Sequence, residues 1–173
     1  NRIDSLILDS KKALEFFPMY PTFYYIHALA HYYNKDYLKS IDFIKMGVAF
    51  VVDNPALASE MYSVLGNAYN EIEEYIYSDN AYEKSLDFMP ENVTVLNNYA
   101  YYLSLRGEKL EKAKKMSAKA IEMYPKEANY LDTYAWILYK LNKYEEAKQY
   151  MLKAIEISKT KTFYIHMSKI LEK

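Results

Sequence analysis

Residues 59–92 read SEMYSVLGNAYNEIEEYIYSDNAYEKSLDFMPEN, and the fold follows from this stretch. Tyr62, Leu65 and Tyr69 recur at helical spacing around a glycine, Gly66. Ser78, Tyr82 and Ser85 then form a second helical stripe before Pro90 closes the segment. Proline cannot donate a helical hydrogen bond and clashes with the preceding turn, so it marks a boundary. The layout then repeats along the chain. Pro55 to Pro90 and Pro90 to Pro125 are both intervals of 35 residues. Gly66 to Ala100, Ala113 to Ala147 and Ala120 to Ala154 are each 34, and Ala100 to Ala135 is 35. The odd residue falls in a turn, because Leu103 to Ala113 is ten residues and Leu138 to Ala147 is nine. Large positions keep the same step: Tyr62, Leu96 and Leu131; Leu65, Tyr99 and Tyr134; Tyr69, Leu103 and Leu138. A fixed interval of this length is the signature of a repeat architecture.

The pattern has a packing reason. Two antiparallel helices approach closely only where a small side chain admits a large one from the facing helix. Gly66, Ala100 and Ala135 are such holes in the first helix of each pair. Ser78, Ala113 and Ala147, then Ser85, Ala120 and Ala154, are the holes in the second. The expected fold class is all-α, an α-solenoid of tandem antiparallel helix pairs.

Composition agrees and removes several function classes. The 173 residues include 21 Tyr but only 3 Gly and 5 Pro, which favours long helices over a turn-rich β fold. Lys plus Arg is 22 against 23 Asp plus Glu, so no net field draws in a phosphate backbone and nucleic acid is not an expected partner. No apolar run approaches the roughly 20 residues needed to span a bilayer, so direct membrane insertion is not expected. No signal-peptide order is found at the start, and the absence of an initial Met suggests an excised piece of a longer protein. Cysteine is absent, which excludes disulfides, thiolate metal sites and Cys nucleophiles.

The chain resembles the tetratricopeptide repeat (TPR) family. Residues 59–92 carry Tyr62, Leu65-Gly66, Tyr69, Ser78, Tyr82, Ser85 and Pro90 at the family's spacing. Residues 93–125 follow with Leu96, Tyr99-Ala100, Leu103, Ala113, Ala120 and Pro125. Residues 128–160 carry Leu131, Tyr134-Ala135, Leu138, Tyr144, Ala147, Met151 and Ala154. Residues 21–54 are a divergent copy with Tyr24, Ala28, Tyr37, Ser40, Ile44 and Gly47, whose second helix is expected to run a few residues long before Pro55. Residues 2–17 resemble a lone second helix and 161–173 a lone first helix or cap, making a single domain of residues 1–173. Ser117 stands where the family prefers a large residue, and Lys159 replaces the closing proline of the last full copy.

The resemblance implies a right-handed superhelix whose first helices line a concave groove, the surface on which solenoids bind partners. Residues offset from the packing positions should then face that groove: Tyr25, Leu29, Tyr32 and Tyr33; Ser63, Asn67, Asn70 and Glu71; Asn97, Asn98 and Tyr101; Asp132, Thr133, Trp136, Tyr139 and Lys140. Leu29, Asn67, Tyr101 and Trp136 hold equivalent places in successive repeats. An Asn amide both donates and accepts, so Asn67, Asn70, Asn97 and Asn98 suit the backbone of an extended peptide. Tyr and Trp supply rigid contact area with a polar tip. The other reading is that Tyr101 and Trp136 pack between neighbouring first helices. Some TPR domains clamp a C-terminal carboxylate with Lys, Asn and Arg. Here the groove offers only Lys140 beside Glu71 and Asp132, so a neutral or mildly basic ligand is expected.

Catalytic chemistry is not expected. His27 and His31 have the spacing of a zinc-protease helix, but the stretch His27-Ala28-Leu29-Ala30-His31 lacks its Glu, and both fall at packing positions. With no Cys and no third ligand nearby, neither a metal nor another cofactor is anticipated. Asn92-Val93-Thr94 matches a glycosylation acceptor by pattern alone. Three roles remain: a protein or peptide scaffold, a spacer working through ends or convex face, or a regulatory module of a larger protein. Ile3, Leu6, Ile7 and Leu14 form an apolar face on the first helix, suited to a preceding repeat or to self-association. The Tyr-, Asn- and Lys-rich dialect resembles bacterial envelope TPR proteins, pointing to a periplasmic or envelope location, with the cytoplasm as the alternative.

Overall fold

A computed structural model describes residues 2–173. Ten helices and no strand occur among the described residues. They are α1 (Arg2–Phe16), α2 (Pro21–Tyr33), α3 (Tyr37–Val48), α4 (Pro55–Glu71), α5 (Tyr75–Phe88), α6 (Val93–Arg106), α7 (Leu110–Met123), α8 (Ala128–Lys140), α9 (Tyr144–Ile157) and α10 (Lys161–Leu171). They group into two compact units, one ending at Asn92 and the other spanning Val93–Lys173.

Local sequence sets the helix starts. Pro21 and Pro55 open α2 and α4, where the missing N–H is not needed and the fixed φ suits a first turn. Asn54 Oδ1 caps α4 by accepting from the Leu57 amide at 3.0 Å. Glu127 caps α8 through the Asn129 amide, and Thr160 caps α10 through the Phe163 amide.

The turn inside each helix pair is built the same way. Glu73 and Glu74 amides donate to the Asn70 and Tyr69 carbonyls, and Asn142 and Lys143 amides donate to those of Tyr139 and Leu138. Gly107 and Glu108 repeat this bonding with Ser104 and Leu103, as Lys35 and Asp36 do with Tyr32 and His31. The first residue of each turn is left-handed: Lys35 (φ 63°), Glu73 (φ 62°), Gly107 (φ 71°) and Asn142 (φ 61°). The third turn holds the odd residue, and Lys109 takes it up in a second left-handed step (φ 45°).

The small positions lie where the repeat logic puts them. In the first unit Ser78 and Ser85 are fully buried. Ser78 Oγ donates to the Gly66 carbonyl at 2.8 Å, and Ser85 Oγ donates to the Ser59 carbonyl at 2.6 Å. These serines therefore fill a hole and also tie α5 to α4. In the second unit Ala100, Ala113, Ala120, Ala135, Ala147 and Ala154 are fully buried. Around the last of these, Leu131, Tyr134, Leu138, Met151, Phe163 and Ile170 form one apolar core. Fully burying a side chain of this size contributes about 1.5–3 kcal/mol.

The sequence expectation fails for α3. That helix stops at Val48 instead of running on toward Pro55. The Phe50 and Val51 amides turn back onto the Gly47 and Val48 carbonyls, and the Phe50 ring stacks on Tyr24 at 5.5 Å. Burial of Phe50 favours the turn over further helix. On α1, Ser10 is the one buried residue of the helix, and Leu14 packs against the first unit's core. Ile3 and Ile7 are half-buried, while Leu6 and Leu8 stand 41% and 54% exposed.

Candidate protein-interaction site

Within the first unit, α2 and α4 carry the residues offset from the packing positions. Tyr25, Leu29 and Tyr32 are half-buried against the core, and Tyr33 is exposed. Burial, then the charge of Glu60, then Tyr33 raise the Tyr25 phenol above its ordinary value. Asn67 is half-buried, and its Oδ1 accepts from the Tyr82 hydroxyl, which reaches across from α5. Asn67 therefore has its NH2 left to donate. Asn70 is half-buried, and Ser63 is buried.

His27 and His31 form an interior cluster, as their packing positions implied. The rings meet edge-on at 4.7 Å, and Phe43 packs against His27 at 4.2 Å and stacks on His31 at 5.7 Å. The single Ser10 hydroxyl proton goes to the Leu6 carbonyl at 2.5 Å, so His27 Nδ1–H donates to Ser10 Oγ at 2.7 Å. Burial, with His31 and Lys11 adding to it, lowers the His27 pKa to about 4. No group of three His, Asp or Glu arranged to hold a metal occurs among the described residues. Asn92 Nδ2 bonds Ser59 Oγ at 3.2 Å and Glu60 Oε1 at 3.1 Å, so the amide of the glycosylation-like triplet already holds the start of α4.

Within the second unit, α6, α8 and α10 enclose a cleft of about 300 Å³. Asn97, Tyr101 and Asp132 line it, joined by Thr133, Thr160 and Phe163. Asp132 is the only charged residue lining the cleft among the described residues. Its Oδ1 accepts from His166 Nδ1 at 2.8 Å. An ionised carboxylate can only accept, so Nδ1 carries the proton. Asn97 is 7% exposed, and its Oδ1 has no hydrogen-bond partner. A buried polar atom left without a partner costs about 1–3 kcal/mol. Tyr101 is half-buried at the same cleft, and burial, then the Asp132 charge, raise its phenol.

Trp136 sits differently from the half-buried groove residues. It is 5% exposed, with the His166 ring of α10 stacked on it at 4.3 Å and Tyr139 at 5.0 Å. Lys140 and Lys169 lie over its ring at 5.3 Å and 5.2 Å. The face that sequence offset assigns to the groove is therefore covered here by α10. Asn98, Tyr139 and Lys140 remain half-buried. Sequence reasoning missed His166 and Thr160. His166 lies outside the three clear repeats, and its spacing of 34 residues from Asp132 is the signal that gives it an equivalent place in the next helix pair.

Residues 128–161 match the tetratricopeptide repeat family model. No curated protein sequence matches the chain. Solved structures do. The thermophilic TPR protein TTC0263 of Thermus thermophilus is similar at a TM-score of 0.78 and 18% identity, over 99% of this chain and 92% of that one. PilF of Pseudomonas aeruginosa gives 0.77 at 18% identity, covering 88% and 68%. YrrB, described as a TPR protein with an unusual peptide-binding site, gives 0.73 at 18% identity, covering 98% and 84%. No helix among the described residues is long and apolar enough to cross a membrane. One repeat of the chain thus matches the tetratricopeptide repeat model, and the fold as a whole is an all-α helical repeat similar to that of solved TPR proteins.

Proposed function

We propose that this chain is a non-catalytic interaction module whose first-helix faces hold an extended segment of a partner protein. The observation that carries the reading is the unpartnered carbonyl of Asn97 at the α6–α8–α10 cleft. Folding leaves a buried acceptor unsatisfied there, and a donor from a bound extended chain supplies what is missing. Asn98 and Tyr101 on α6 and Tyr139 and Lys140 on α8 extend the surface with amide, phenol and ammonium groups. In the first unit Tyr25, Leu29, Asn67 and Asn70 provide the corresponding face. Trp136, buried beneath His166 and Tyr139, is packing rather than a contact in this reading. YrrB, with its peptide-binding site, is a precedent for a fold of this kind taking a peptide.

The test is selection of linear peptides from a randomised displayed library, followed by binding to variants. Removing Tyr101 and Asn98 together (Tyr101→Ala with Asn98→Ala) should weaken the selected peptides by about thirtyfold or more, as for loss of one hot spot. Ile76→Ala, an exposed change on α5, should leave them unaffected. The reverse pattern would place binding elsewhere.

A second reading rests on α1. Leu6 and Leu8 on α1, with Phe16 and Phe17 at its end, are exposed, and an apolar surface of this kind suits self-association. Light scattering that finds a monomer at every concentration removes that reading.

A further inference from the structure

We infer that the α6–α8–α10 cleft takes the side chain of a lysine or arginine from the bound segment, its cationic head paired with Asp132 and bonded to Asn97 Oδ1. This rests on the groove reading above and adds the chemistry of one position. Three observations carry it. Asp132 contributes the cleft's sole formal charge among the described residues, and it is negative. Its bond to His166 engages one carboxylate oxygen, Oδ1, at 2.8 Å. Asn97 presents an acceptor with no donor, and ammonium and guanidinium groups are donors only.

Two features could argue for an anion instead, and both are already answered locally. The N-termini of α8 and α10 border the cleft, but Glu127 caps the first and Thr160 the second. Lys161, which stands between the lining residues Thr160 and Thr162, is exposed and does not line the cleft, and Lys140 and Lys169 lie over the Trp136 ring. A volume of about 300 Å³ suits one long side chain and not a folded domain. The uncharged Thr133 and Thr160 and the ring of Phe163 can flank its methylene stem.

Peptides selected from the same library test this directly. The inference expects Lys or Arg at one fixed position in the selected sequences. Exchanging that Arg for citrulline, or Lys for norleucine, should weaken binding to the unmutated protein by about tenfold. On Asp132→Asn, which keeps the acceptor for His166 and the bond to Asn97, the same exchange should cost clearly less. Peptides that lose affinity with Tyr101→Ala but show no basic preference overturn this inference and leave the groove reading standing. An equal penalty for the exchange on both proteins overturns it as well. Peptides indifferent to Tyr101→Ala overturn both. If Asp132→Asn fails to fold, the salt dependence of the Arg and citrulline peptides on the unmutated protein decides. A steeper slope for Arg supports the pairing, and equal slopes reject it.

Discussion

Gly47→Ala puts the packing argument under the most strain, because two well-known effects oppose each other there. Gly47 sits in the last turn of α3. Alanine is about 1 kcal/mol better than glycine in a helix, so propensity alone predicts a more stable protein. The structure predicts the opposite. A Cβ on residue 47 would lie 2.3 Å from Tyr24 Cβ, and 2.8 Å from both Tyr24 Cγ and Met61 Cε. Met61 can swing its methyl away, but Tyr24 cannot retreat. Its hydroxyl donates to the Pro18 carbonyl at 3.0 Å, and Phe50 stacks on its ring. Forcing α2 and α3 apart costs about 1–3 kcal/mol, and a contact this short belongs at the upper end. The net expectation is a loss of about 1–2 kcal/mol. Urea unfolding followed by circular dichroism reads it as a lower midpoint with an unchanged slope. Gly66→Ala should lose less, because its Cβ meets the Tyr82 ring at 3.0–3.1 Å. Equal or greater stability for Gly47→Ala would refute the nesting argument.

Other consequences follow from named atoms. Asn97→Leu removes the unsatisfied acceptor, so the unfolding free energy in urea should rise by about 1 kcal/mol while affinity for groove-binding peptides falls; a change in only one of the two separates structure from function. Trp136→Ala should cost about 3–5 kcal/mol in the same assay, since the indole is enclosed by His166 and Tyr139, and a loss under about 1 kcal/mol would contradict that packing. Ser117 is fully buried with an unpartnered Oγ, so Ser117→Ala should raise the unfolding free energy by about 1 kcal/mol. His27 makes stability depend on pH. Its folded pKa lies near 4, below the ordinary 6.5, so at intermediate pH the unfolded chain binds a proton that the folded chain refuses. Stability should therefore fall as pH drops below about 6.5 and the loss should be complete below about 4, amounting to roughly 3 kcal/mol at most. His27→Asn should flatten that part of the pH profile, and an unchanged profile would mean the imidazole is not buried neutral.

Much of the fold was legible because it depends on short-range rules. Proline placed the openings of α2 and α4, and the spacing of Ala113, Ala120, Ala147 and Ala154 gave the buried seams before any coordinates. The extra residue in the third turn was visible by counting, though not its form. The left-handed positions fall on Lys35, Glu73, Gly107 and Asn142, and only the last two residue types favour that conformation. The end of α3 was hidden for a similar reason. Phe50 leaves the helix to stack on Tyr24, a contact that no local propensity encodes. The candidate site was half legible. Asn97, Tyr101 and Asp132 were assigned to one face and do line one cleft. What enclosed that cleft, and what buried Trp136, was α10, whose His166 and Thr160 carry no repeat signature strong enough to read alone.

The most direct test of the account is an amide chemical-shift titration of the labelled chain with a library-selected linear peptide. Perturbations concentrated on α6 and α8, with Asn97, Asn98, Tyr101 and Asp132 among the largest, are the predicted result. Shifts confined to α7 and α9, or to the exposed apolar residues of α1, would contradict it.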